Sequence, residues 1–279
     1  MSARSAADST AGPDVVDGTP TTNATQKVCA ILRAISARSP QRLAEITSRT
    51  GLNKVTALRI LETLIEEGFV EREPEGRGFA RGREFLALAA STGRSHDVRE
   101  LARPSLVRLA DLSEDSALLS VRSGTESVCV DRQIGTFPIR ANYLDVGSRR
   151  PLGVGAGALA ILAWMPDREI EAVLGVIGPH LAAYPRMSVP LIRELIAESR
   201  ERGCVVLLDR VVDRMAAIGV PILSDAGAVI GALSIAALTE RISERSDLLR
   251  EALIREADLI CREIGRGSPR AGLLERNST

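Results

Sequence analysis

With 279 residues and 29.8 kDa, 45% apolar and 26% charged, the chain has the make-up of a globular protein of about two compact units. That excludes a collagen, an acidic disordered chain and a disulfide-framed miniprotein. Its 36 basic residues balance 36 acidic ones, so any nucleic-acid surface has to come from local charge rather than the chain-wide total.

Residues 1–24 and 267–279 read as disordered tails, and the first lacks the apolar run of a secretory signal. The longest nearly uncharged stretch, Pro151 to Pro166, is shorter than the ~20 residues a spanning helix needs. A cytoplasmic protein without a membrane partner is expected. Cys29, Cys129, Cys204 and Cys261 have no CxxC spacing and read as free structural thiols. His96, in a loop, and His180 are too far apart in sequence to suggest a metal site or a histidine triad, so no metal and no cofactor are expected.

Between Thr25 and Ile60 the balance breaks, with seven basic residues against the single acid Glu45. Val28 to Ala37 repeats apolar residues at Val28, Ile31, Leu32 and Ile35, which predicts a first helix stopped by Ser39-Pro40. Leu43, Ala44 and Ile46 line a short second helix that closes at Gly51, a residue suited to a left-handed cap. Asn53 can cap a third, running to about Glu67 with Ala57, Ile60, Leu61 and Leu64 inward and Gly68 at its end. Two short helices joined by a glycine turn form a helix-turn-helix. Phe69 to Arg72 and Phe79 to Gly82, joined by PEGRG, add a hairpin wing. Lys54, Thr56 and Arg59 then face outward near the amino end of the third helix, where base edges and phosphates would be met, and Arg77 sits at the wing tip.

Arg83 to Thr92 predicts a linker helix, with a domain division of 25–84, 85–96 and 97–266. Val98 to Leu112 follows as a helix with Pro104 as a kink. Beyond Asp115 the period changes, and SALLSVRSG, ESVCVDRQIG and FPIRANYLDVG read as three strands of a meander. RRPLGVGAGALAILAWMP turns into helix, MSVPLIRELIAESRERG forms another, and CVVLLD, MAAIGVPIL and AVIGALSIAAL return to strand. A long amphipathic helix from Ser243 to Ile264 ends the unit. The fold expected is α+β: a winged helix-turn-helix, a linker helix, and a six-stranded antiparallel sheet with flanking helices.

The segment LAEITSRTGLNKVTALRILETLIEEGFVER resembles the helix-turn-helix and recognition helix of the IclR family of transcriptional regulators. LARPSLVRLADLSEDSALLSVR, ESVCVDRQ, VGSRRPLGVGAGALAILA and GALSIAALTERIS are similar to successive stretches of that family's effector domain, GSRxPL being the most specific. The resemblance implies a GAF-like carboxy-terminal domain with a small-molecule pocket. It also implies a homodimer or dimer of dimers on palindromic double-stranded DNA. DNA contacts are implied at Lys54, Val55, Thr56 and Arg59. The family often has proline where Asn53 stands and a small hydroxyl residue where Val55 stands. Effector contacts fall near Ala156 and Gly157, with others around Leu208, Ala217 and Ser234. Gly153 replaces a frequent histidine, Leu159 a lysine, Ala217 a cysteine and Ala236 a serine. These departures make the pocket less polar and favour an aromatic or aliphatic organic acid as effector over a very small oxoacid.

Gly153, Gly155 and Gly157 permit either close backbone approach to a ligand or tight helix packing. Their spacing is not a dinucleotide fingerprint. Arg140, Tyr143, Arg149 and Arg150 read as surface or loop-anchoring residues that could also pair an anion, and Asp131-Arg132 as a strand-end pair. On residues alone, a metabolite sensor that binds a protein partner instead of DNA stays open. A small hydrolase is the weaker rival, since Ser234 lacks a GxSxG setting and Cys204 lacks a histidine near it in sequence. The chain is not expected to be an enzyme.

Overall fold

The computed structural model describes residues 23–37, 41–73, 78–91, 98–139 and 144–266. Arg77, His96, Arg140 and Tyr143 lie outside the described residues, as do 1–22 and 267–279.

In the amino-terminal unit, α1 (Ala24–Ala37) starts four residues before the expected Val28. Asn23 explains the difference: its Oδ1 accepts from the Gln26 N–H at 2.8 Å, while the Gln26 Oε1 accepts from the Asn23 N–H at 3.3 Å. This reciprocal pair satisfies donors that a helix start leaves open. Strand β1 (Gln41–Arg42) leads into α2 (Leu43–Thr50), which ends on Gly51 at φ 67°, the left-handed cap expected. Asn53 caps α3 (Lys54–Glu66), its Oδ1 accepting from the Thr56 N–H at 2.8 Å.

The wing strands β2 (Val70–Arg72) and β3 (Gly78–Arg81) pair antiparallel, and β1 joins β3 on its other side through Gln41 opposite Phe79. The third strand was not anticipated, because two residues carry no periodicity. Its anchor is visible: Gln41 is buried and donates Nε2–H to the Ala34 carbonyl at 2.6 Å. Ile31, Ile35, Ile46, Ala57, Leu61, Leu64, Val70 and Phe79 make the core, each larger one contributing roughly 1.5–3 kcal/mol by burial. Loss of the α3 cap in Asn53→Ala should cost about 1 kcal/mol in urea denaturation. A change of less than about 0.2 kcal/mol would refute the capping role.

The linker helix α4 (Glu84–Ser91) follows β3, with Phe85 edge-on to Phe69 at 6.0 Å between ring centres. Gly82 makes that junction possible, since any side chain there would overlap the Gly68 carbonyl oxygen.

The carboxy-terminal unit opens with α5 (Val98–Ser113), which runs through Pro104 as one helix. Pro104 lies on the exposed side, where water can serve the carbonyl that loses its N–H partner. The sheet comprises β4 (Ser116–Ser123), β5 (Glu126–Gln133), β6 (Arg149–Pro151), β7 (Val205–Leu208), β8 (Met215–Leu223) and β9 (Val229–Leu238) in the order β6-β5-β4-β9-β8-β7. Every pairing is antiparallel. One face packs on α5 and α10 (Ser246–Arg266), through Leu106, Leu109, Leu233, Ile235, Leu249 and Leu253 among others. The other packs under α6 (Ala156–Ala163), α7 (Asp167–Ile177) and α8 (Val189–Arg202).

The strand expected over FPIRANYLDVG is corrected: its described residues, 137–139 and 144–147, are not strand, and the third meander strand is β6. The cause is the turn after β5. Gly135 crosses so close to Glu114 that a side chain would overlap the carbonyl oxygen there. The Phe137 N–H donates to that same carbonyl at 2.8 Å, and its ring sits 3.7 Å from the Arg241 guanidinium carbon, so Phe137 is used for packing instead of pairing. Helix α7 was also not anticipated, although Ile170, Val173, Leu174 and Ile177 repeat at helical spacing. The terminal helix is preceded by a separate turn of helix, α9 (Thr239–Glu244).

A charged knot ties these layers together. Asp115 is buried, with Arg241 Nε 3.1 Å from both carboxylate oxygens and Arg245 Nη2 3.2 Å from one. Both guanidiniums also donate to the Ser113 carbonyl, at 2.9 and 2.8 Å.

Candidate DNA interface and ligand cavity

Helix α3 separates two faces. Ala57, Leu61 and Leu64 point into the core, while Lys54, Val55 and Arg59 are exposed and Thr56 is half-buried. Val55, 79% exposed, is the most exposed of the large apolar side chains described. The Asn53 carboxamide takes the Thr56 N–H. The first turn therefore presents the Lys54 and Val55 N–H groups, a lysine and an arginine one turn on. This arrangement suits phosphate and base edges. The acids of α3, Glu62 and Glu66, lie at its far end.

The second feature is a cavity between the sheet and α6. Its floor is built of small inward positions on central strands: Ser120 of β4, Ala217 of β8, and Ser234 and Ala236 of β9. Residues 154–158 form one wall, and Arg210, Val211 and Val212, in the loop between β7 and β8, form the rim. That loop is held by Thr239, whose Oγ1 donates to Asp209 Oδ1 at 2.9 Å, and by Arg186, which donates to the Asp209 carbonyl at 2.7 Å.

The three loop glycines part company here. A Cβ on Gly153 (φ 96°) would come within 3.0 Å of Ile192, so this one serves packing. A Cβ on Gly157 would stand 3.0 Å from Ser120 Oγ and 3.3 Å from Ser234 Oγ. Its bareness lets the start of α6 come down onto the two hydroxyls. Gly155 (φ 93°) holds the turn into α6 and has only Arg150 near it.

Of the effector positions named from sequence, Ala156, Gly157, Ala217 and Ser234 line this cavity. Leu208 is 40% exposed and does not; strand alternation turns its neighbour Leu207 inward. The adjacent arginines of β6 divide in the same way. Arg149 points out to Glu126 at 2.9 Å and Ser123 Oγ at 3.1 Å, whereas Arg150 is 9% exposed and lines the cavity. The alternation of a two-faced strand was the available signal for Arg150, and Ser116 and Ser120, four apart and so on one face of SALLSVRS, were the signal for Ser120.

Asp131 and Arg132 are joined through the backbone, the Arg132 N–H donating to Asp131 Oδ1 at 2.8 Å; Asp131 also accepts from Arg103 at 3.1 Å, and the Arg132 guanidinium reaches Asp145 at 2.9 Å. Cys129 and Cys204 are buried, and burial pushes the Cys129 thiol up to about 12, which leaves it unreactive. Among the described residues no cluster of three His, Cys, Asp or Glu could hold a metal ion, and no helix is long and apolar enough to cross a membrane.

A winged helix-turn-helix with a basic amino end on its third helix, followed by an α+β domain enclosing a cavity, defines a one-component regulator architecture. Residues 24–74 match the IclR helix-turn-helix domain, and residues 90–262 match the domain described as bacterial transcriptional regulator IclR C-terminal. The chain belongs to the IclR family of transcriptional regulators, with its DNA-binding helix-turn-helix and carboxy-terminal effector-binding domain. It is 31% identical over 86% of its length to the HTH-type transcriptional regulator KipR of Bacillus subtilis, covering 96% of that protein. It is 29% identical over 88% of its length to TtgV of Pseudomonas putida, covering 93% of that chain. Among solved structures, an IclR regulator from Alicyclobacillus acidocaldarius superposes with a TM-score of 0.69 at 26% identity, covering 85% of this chain and 97% of the other. An IclR homolog from Microbacterium hydrocarbonoxydans, complexed with 4-hydroxybenzoate, shares the fold at a TM-score of 0.68 and 24% identity, covering 87% and 98%.

Proposed function

We propose that the protein is a cytoplasmic, sequence-specific regulator that binds a palindromic operator as a dimer or dimer of dimers, and whose operator affinity changes when a small organic acid with an apolar body occupies the cavity. The observation that carries the DNA part is the exposed set Lys54, Val55 and Arg59 at the open end of a rigidly capped helix. Thr56 adds a hydroxyl beside them, and Arg77 stays in the proposed DNA-contact set on the sequence reading alone. One such helix reads too few base pairs for useful selectivity, which is the argument for two-fold pairing. The domain division 25–84, 85–96 and 97–266 belongs to this reading.

The effector part is supported by the cavity's position against α6 and by its lining of small and apolar residues, with Ala156, Gly157, Ala217 and Ser234 in its wall. We place Leu208 outside the contact set. Ligand control needs only a difference in affinity between two dimer arrangements, about 1–3 kcal/mol of coupling.

The test is a titration of the purified protein on the intergenic DNA beside its own gene, across salt concentrations and against unrelated competitor. Tight binding that survives competitor and weakens steeply with salt is expected. Binding to every duplex alike would remove the sequence-specific reading.

A further inference from the structure

We infer that the outer face of α10 is a homotypic interface, along which two copies of this chain pair antiparallel about a two-fold axis level with the midpoint between Glu256 and Ala257. This rests on the reading of the protein as an oligomer and assigns the surface, orientation and register that join two carboxy-terminal units.

Helix α10 divides its residues between two sides. Leu249, Ala252, Leu253, Ala257 and Ile260 are buried in the layer shared with α5 and the sheet. On the other side Glu251, Ile254, Arg255, Asp258, Leu259 and Arg262 are all exposed and line one groove. Spacings of three and four residues put these six on a single stripe. Ile254 is 38% and Leu259 40% exposed, in a stripe whose charges are of both signs. That is the make-up of a helix–helix seam, in which apolar side chains supply contact and flanking charges choose the partner and its orientation.

The order of the charges selects the occupant. Glu251 and Arg262 lie equally far from the midpoint between 256 and 257, and so do Arg255 and Asp258, and Ile254 and Leu259. A two-fold axis crossing the seam at that midpoint brings residues equally far from it level with one another in the antiparallel pair. Glu251 then stands level with Arg262 of the second copy, Arg255 with Asp258, and Ile254 with Leu259. Every charge in the groove meets its opposite. The alternatives oppose like charges, which is destabilising. In a parallel pair each residue is level with its own counterpart. Sliding the antiparallel pair by four residues, about one turn, sets Arg255 level with Arg262 in one direction and Glu251 level with Asp258 in the other. A second copy of this chain is therefore the partner whose charge pattern fits, in one orientation and one register.

Two complementary charge reversals test the seam. Glu251→Arg with Asp258→Arg makes the stripe wholly basic, and Arg255→Glu with Arg262→Glu makes it wholly acidic. All four positions are exposed, so both variants should fold. The full chain is followed by sedimentation velocity over a range of concentrations, as wild type, as each variant alone and as an equal mixture of the two variants. Wild type should self-associate. Each variant alone should do so roughly tenfold or more weakly, because two level pairs, each occurring twice across the seam, turn from attraction to repulsion. The mixture should recover to within about threefold of wild type, since every level pair is again of opposite sign. Should either double variant fail to fold, Arg255→Asp and Asp258→Arg exchange one level pair and should give the same pattern to a smaller degree. Variants that assemble as wild type does, or a mixture that assembles no better than its components, overturn the α10 seam while leaving the copies joined by another surface. A wild type that stays monomeric at every concentration removes the oligomer reading along with it.

Discussion

Replacing Lys54 and Arg59 together by alanine is expected to weaken operator binding by about 2–6 kcal/mol, the sum of two phosphate or base contacts of about 1–3 kcal/mol each. The folded protein should hardly notice. Both side chains are exposed on the face of α3 opposite Ala57, Leu61 and Leu64, so the change in unfolding free energy should stay within about 0.5 kcal/mol. The single variants divide the roles. A residue that meets phosphate loses affinity alike on all sequences and lowers the salt slope by about one, whereas a residue that meets a base edge relaxes selectivity at one position. Undiminished operator affinity in the double variant, measured by fluorescence anisotropy, would mean that α3 is not the reading element.

The second large effect is on stability. Asp115→Ala should cost about 3–5 kcal/mol in urea denaturation, because it leaves Arg241 and Arg245 side by side without the carboxylate that neutralises them. The loss should be felt throughout the carboxy-terminal unit, since the knot joins the end of α5, the start of β4 and α9. A cost below about 1 kcal/mol would show that water replaces the carboxylate. Burial holds the Asp115 carboxyl above the usual carboxylate range, outweighing the hydrogen bond and attraction of Arg241. The native state therefore binds this proton more tightly than the unfolded chain. Its contribution to stability is complete below the ordinary carboxylate pKa and is lost as pH rises through the raised native value. The advantage of wild type over Asp115→Asn should accordingly shrink as pH rises through that window.

The parts of the fold governed by local rules were legible in the sequence. Asn53, Gly51 and Gly68 mark where helices start and stop, and these signals act within a few residues. Five of the six large-sheet strands follow from alternation. The sixth failed because FPIRANYLDVG has strand-like composition, whereas its backbone is claimed by Glu114, twenty-three residues before Phe137 and invisible to a local reading. The cavity shows the same divide. Gly157 and Ser234 can be picked out by motif and resemblance, but whether Arg149 or Arg150 faces inward depends on the register of a three-residue strand against β5. The same limit applies to Leu207 and Leu208.

Strand β4 lies between β5 and β9, with Ser116, Leu118 and Ser120 turned toward the α6 side and Ala117 and Leu119 toward α5 and α10. A slip of one residue would exchange the two sets, driving hydroxyls into the dry aliphatic layer and aliphatic groups into the chamber. The hydroxyl at the cavity floor and the aliphatic packing of the opposite face are therefore a single constraint written on one strand. Ligand preference on this scaffold can drift through individual substitutions at 118 or 120, but an insertion or deletion within β4 would forfeit the domain itself.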